Sequence, residues 1–114
     1  MKVKIWIDDL RAAPEGWIWV HTYDEAVGAI GFYKGNISNI AFDHDLGACD
    51  VCAIDDDLVC GNNCECSCHK TGYDVICWME AFDTWPEYPP TVHSANPVGR
   101  RRIFQVINRK YGLP

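Results

Sequence analysis

Asp8, Asp9, Asp43, His44, Asp45 and His93 are the residues of this chain whose types and grouping suit chemistry. Carboxylates are hard oxygen donors for a divalent cation such as Mg2+. Histidine titrates near neutral pH, so two of them facing a phosphodiester can act as general base and general acid. Adjacent acids such as Asp43 and Asp45 repel unless a cation or a proton relieves them. His44 and His93 are therefore the candidate acid–base pair, with Asp9 or Asp45 orienting an imidazole. Asp8 and Asp43 are the candidate cation ligands. His44 and His93 as ligands of a transition metal are the alternative. Arg11, Ser94, Asn96 and Arg100 lie close to these groups in sequence and are candidates for binding phosphate oxygens.

The elements that must position these residues follow from local pattern. Residues 3–7 are β-branched and aromatic and predict a strand buried on both faces, ending at Asp8 and Asp9. Pro14 and Gly16 punctuate a loop, and 17–20 predicts a second strand. Thr22 is an N-cap and Glu25 completes a capping box for a helix whose face is Ala26, Val27, Ile30 and Tyr33, stopped at Gly35 and Asn36. A third strand over 37–42 runs into Asp43. A helix over 72–83 presents Val75, Ile76, Trp78, Met79 and Phe82, and 91–94 predicts a fourth strand. Asn96 at N-cap and Pro97 at N1 open a last helix with Ile103, Phe104, Ile107 and Tyr111 on its buried face.

The order β-β-α-β-α-β-α predicts an α/β domain with a mostly parallel four-stranded sheet and right-handed crossovers. In such a sheet the polar residues after strands one, three and four share one edge, where ligands bind. The last helix starts directly after His93, so its N-terminus and Arg100 favour an anion there.

The 114 residues fit one domain, 1–114, with 48% hydrophobic and 23% charged residues. No apolar run is long enough for a membrane span and no leader is visible, which predicts a cytoplasmic protein with no membrane partner. A net charge of −6 argues against nonspecific binding to duplex DNA.

Six of the seven cysteines fall within 49–68. Segment 48–70 has neither helical nor strand period, so it predicts an insertion too poor in apolar residues to pack a core of its own. Cys49 and Cys52 have the spacing of a metal knuckle, and Cys60, Cys64, Cys66, Cys68 and His69 follow. Four of these would hold a structural zinc. Asp55, Asp56 and Asp57 are expected to form a solvated turn rather than a calcium site, lacking its other spaced oxygen ligands, and Cys77, apart from the rest in a helical pattern, is expected in the core.

Four motifs together carry a resemblance: Asp-Asp-Leu-Arg at 8–11, Asp-His-Asp-Leu-Gly at 43–47, Thr-Gly-Tyr-Asp at 71–74 and His-Ser-Ala-Asn-Pro at 93–97. In this order they resemble the cyclic-phosphate-processing receiver-like domains of bacteria and phages, over nearly the whole chain apart from 48–70. The resemblance implies a small three-layer receiver-type fold in a bacterial or phage-infected cell. It also implies a phosphoesterase-like role on a cyclic nucleotide or an RNA 2′,3′-cyclic phosphate, or a non-catalytic module that binds such a nucleotide or a protein partner. Ordinary response-regulator receivers, a related comparison, carry an acidic pair and a phosphorylated Asp where Asp8, Asp9 and Asp43 stand. This chain lacks their fifth strand and its lysine, and adds His44 and His93, so a phospho-switch at Asp43 is disfavoured.

Overall fold

The computed structural model describes residues 2–43, 46 and 70–112. In chain order the elements are β1 (Val3–Ile7), β2 (Ile18–Val20), α1 (Tyr23–Phe32), β3 (Ile37–Phe42), α2 (Gly72–Ala81), β4 (Thr91–Val92) and α3 (Pro97–Tyr111). The strands are all parallel, in the order β2-β1-β3-β4. This is the receiver-type α/β arrangement. Segment 47–69, which holds nearly all of the expected insertion and its expected zinc ligands, lies outside the described residues.

Handedness decides where the helices go. The steps β2 to β3 and β3 to β4 run the same way across the sheet, so right-handed crossovers put α1 and α2 on one face. α1 packs on α2 and α2 on α3, so the three form one layer. The step from β1 to β2 runs the other way, so its connection belongs to the opposite face, and residues 8–17 form no helix. The third layer is thus a loop.

The strand β1 is not buried equally on both faces, contrary to the pattern of its residue types. Ile5 and Ile7 point into the core, whereas Lys4 is exposed and Trp6 is half-buried. A loop covers less surface than a helix. Trp6, Trp17 and Trp19 cluster on or beside this loop-covered side, Trp6 and Trp17 meeting edge to face at 5.8 Å.

The core lies between the sheet and the helices. Ile5, Ile7, Ile40 and Phe42 meet Ala26, Ile30, Val75, Ile76, Met79, Ile103 and Ile107. Burying one such aliphatic side chain is worth about 1.5–3 kcal/mol before chain entropy is counted. Leu46, just after the third strand end, packs against this core.

The caps appear with one variation. Thr22 accepts the Glu25 N–H at 3.1 Å, but the Glu25 carboxylate reaches the His21 N–H rather than that of Thr22. The α1 chain leaves through Gly35 at φ +85°, a left-handed turn that suits glycine. Thr71 donates its N–H to Asp74 at 2.8 Å at the start of α2, so the Thr-Gly-Tyr-Asp motif is a helix start. Two apolar assignments change. Phe82 is 60% exposed because the helix ends at Ala81 and the period lapses. Phe104 is 40% exposed, and Val106, on the same stripe as Ile103 and Ile107, takes its place in the core. Cys77 is half-buried, not core. No described helix is long and apolar enough to cross a membrane.

Candidate active site

β1 delivers Asp8 to the sheet edge, where it is fully buried. A buried carboxylate must be hydrogen-bonded to remain ionised. Asp8 Oδ1 accepts the N–H groups of Leu10 at 2.8 Å and Arg11 at 2.9 Å, and Oδ2 faces His93 Nε2 at 2.9 Å. Its backbone C=O accepts the Trp19 indole N–H at 2.7 Å. Burial pushes its carboxyl up, but the N–H bonds of Arg11 and Leu10, with the hydrogen bond and charge of His93, outweigh this and hold it below the usual range.

His93 follows β4 and extends its ladder, donating its backbone N–H to the Phe42 carbonyl at 2.9 Å. Its ring stacks on Trp6, with centroids 4.0 Å apart and planes 6° apart. The small Ala41, paired with Trp6 in the sheet and 2% exposed, leaves room for the indole to reach across β3. Arg11 donates its guanidinium to the His93 carbonyl, and its own carbonyl accepts the Trp6 indole N–H at 2.9 Å. The loop after β1 is thus tied to the strand end of β4.

An ionised Asp8 only accepts, so the shared proton sits on His93 Nε2. In the neutral ring Nδ1 then carries the lone pair. Nδ1 is shielded from solvent and has no hydrogen-bond partner among the described residues. Sequence reasoning named Asp9 or Asp45 as an acid that orients an imidazole; at His93 the acid in place is Asp8, and His44 and Asp45 lie outside the described residues.

Asp8, Asp9 and Asp43 each offer a carboxylate oxygen, and these oxygens lie within 4.8 Å of one another. The donor set suits a hard cation such as Mg2+. Asp8 already accepts three N–H bonds, so Asp9 and Asp43 would be the principal ligands and a cation on Oδ2 would compete with His93.

The other candidates fall into place differently. Ser94 is buried and its hydroxyl accepts the Asn96 N–H at 3.1 Å, closing the turn after β4. Asn96 Oδ1 caps α3 through the Gly99 N–H at 3.0 Å. Arg11 and Arg100 are exposed, Arg11 bound to the His93 carbonyl at the end of β4 and Arg100 in the first turn of α3. His44, Asp45, Cys49, Cys52, Cys60, Cys64, Cys66, Cys68 and His69 lie outside the described residues. Sequence reasoning missed Trp6 and Trp19. Their part depends on strand pairing, since Trp6 lies opposite the small Ala41 only once β1 and β3 are side by side.

A family model described as the cyclic-phosphate processing receiver domain matches residues 3–109. No curated protein and no solved structure matches the chain.

Proposed function

Because the chain belongs to the family of cyclic-phosphate-processing receiver domains, we propose that its strand-end site hydrolyses a cyclic phosphodiester, in a cyclic nucleotide or at an RNA 2′,3′-cyclic end. The observation that carries this reading is the Asp8–His93 pair, 2.9 Å apart beside Asp9 and Asp43. In it a buried carboxylate fixes one tautomer of an imidazole, the arrangement that readies the other ring nitrogen to take a proton.

In the proposed reaction, water attacks phosphorus and one ring P–O bond breaks. His93 Nδ1 takes the proton from the attacking water when substrate entry opens that edge of the ring. His44 gives a proton to the leaving oxygen, with Asp45 beside it. Arg11 and Arg100 neutralise phosphate oxygens, and the Asn96 and Ser94 turn presents the start of α3 to them. A divalent cation on Asp9 and Asp43, with Asp8, would offset the negative charge that three carboxylates otherwise set against a phosphate.

The test is turnover of 2′,3′-cyclic and 3′,5′-cyclic nucleotides by the wild type, His93→Ala and His44→Ala, with product identification. Each substitution is expected to lower the rate by about 10²–10⁴-fold. Full activity in both variants would remove the two-histidine scheme. A second reading draws on the shielded Nδ1: a module that binds a cyclic nucleotide without turnover. Ligand recovered unchanged from a saturable complex would favour it.

A further inference from the structure

The charge on this chain is segregated. No Asp or Glu occurs after Glu87, and Arg100, Arg101, Arg102, Arg109 and Lys110 of α3 are half of the 10 basic residues. Three of them have evident structural work. Arg102 lies over the Tyr73 ring at 4.2 Å, Arg109 pairs with Glu80 at 3.2 Å, and Lys110 pairs with Asp83 at 3.8 Å. Arg100 and Arg101 are exposed and have no ion-pair partner among the described residues.

Their position works against the helix. The N-terminal end of a helix is its positive end, and cations there are unfavourable. α3 has no acidic residue in its first turn to offset them. Departures of this kind from local preference concentrate where function demands them.

The neighbouring side chains narrow the ligand. Val98 is 69% exposed and Phe104 40% exposed. They stand three residues before and three after Arg101, so they share its face, and Gln105 and Asn108 continue that stripe. An arginine beside an exposed aromatic ring and amides, with Arg100 flanking it at the start of the helix, suits a single-stranded nucleic-acid surface, where cations take phosphates and rings take bases. The stripe from Arg101 to Asn108 runs about 10 Å at 1.5 Å per residue. It begins in the second turn of α3, the helix that follows the His93 strand end through the short turn of Ser94 and Asn96.

We propose that this face of α3 binds the single-stranded phosphodiester chain of an RNA whose cyclic-phosphate end enters the strand-end site. The inference rests on the hydrolytic reading above and selects an RNA end over a free mononucleotide as the substrate. The small extent of the patch against a net charge of −6 disfavours duplex binding.

The experiment compares a free 2′,3′-cyclic mononucleotide with a short single-stranded RNA, ending either in a 2′,3′-cyclic phosphate or in a 3′-hydroxyl. Turnover and fluorescence-anisotropy binding are measured for the wild type, Arg101→Glu and Phe104→Ala. The RNA is expected to bind more tightly than the mononucleotide. Arg101→Glu should weaken RNA binding about tenfold and flatten its log–log salt dependence by about 0.7 for each phosphate that is no longer neutralised. Phe104→Ala should weaken it at least about fivefold. Neither should change turnover of the mononucleotide. Equal handling of RNA and mononucleotide, with both variants silent, would overturn the inference and leave the hydrolytic reading standing. RNA binding that needs Arg101 and Phe104, with no turnover of either cyclic substrate, would uphold the surface and sink the hydrolytic reading. An altered oligomeric state in Arg101→Glu, with RNA binding intact, would assign the face to protein association and overturn the proposal.

Discussion

The indole of Trp6 and the imidazole of His93 lie parallel, 4.0 Å between centroids, although one belongs to the first strand and the other follows the last. The stack fixes the ring plane of His93, and the bond from Nε2 to Asp8 fixes its rotation. The pair should therefore be energetically coupled. A double-mutant cycle of Trp6→Leu and His93→Ala, read by urea unfolding, is expected to give about 0.5–1.5 kcal/mol of coupling. A coupling near zero would mean that the stack only fills space.

Asp8→Ala leaves the Leu10 and Arg11 N–H groups and the His93 Nε2–H without their acceptor. The expected loss is about 3–5 kcal/mol. Asp8→Asn should cost less, because its amide oxygen can still accept the two backbone bonds. Urea unfolding of the two variants beside the wild type would check the order.

The folded carboxyl of Asp8 is held below its ordinary value of 3.8. Its contribution to stability is thus fully present above pH 3.8 and is lost as pH falls through the lower folded value. The stability gap between wild type and Asp8→Asn should still be present at pH 3.8 and close as pH falls through that lower window. Denaturant titrations from about pH 7 to about pH 2 would check this, and a gap that persists at the acid end would contradict it.

Thr22 and Asn96 each satisfy a helix N-terminal N–H, those of Glu25 and Gly99. Thr22→Ala and Asn96→Ala should each cost about 0.5–2 kcal/mol. The two caps serve different helices, so the double variant should lose the sum. Asn96→Ala should in addition impair phosphate handling if the start of α3 faces the substrate, which a KM measurement would detect.

Zinc in the segment 48–70 is a proposal from spacing. Metal analysis of purified protein is expected to find zinc bound by four of Cys49, Cys52, Cys60, Cys64, Cys66, Cys68 and His69, and Cys49→Ser with Cys52→Ser should lower that content. Stoichiometric free thiols with no metal would defeat the proposal.

The elements are legible in the sequence because their signals are local. Thr22 and Asn96 act on groups three residues away, and the apolar period of Ile103 and Ile107 acts within a turn or two. Phe82 and Phe104 escape such a reading because apolar type does not say where a helix ends or which way its stripe turns. Ser94 has the type and place of a ligand-binding residue, yet its hydroxyl serves the turn that follows β4.

By itself the sequence determined the strands and helices and the grouping of polar residues at strand ends, since hydrogen-bond geometry and side-chain period act over a few residues. Tertiary structure alone decided which acid meets His93. Asp8 and His93 are 85 residues apart, and only the order β2-β1-β3-β4, with β3 and its small Ala41 between them, lets Asp8 and Trp6 both reach that ring. It also decided which sheet face carries the helices and which is left to a loop and three tryptophans, because the hand of a crossover depends on where the next strand lies, not on the residues within it.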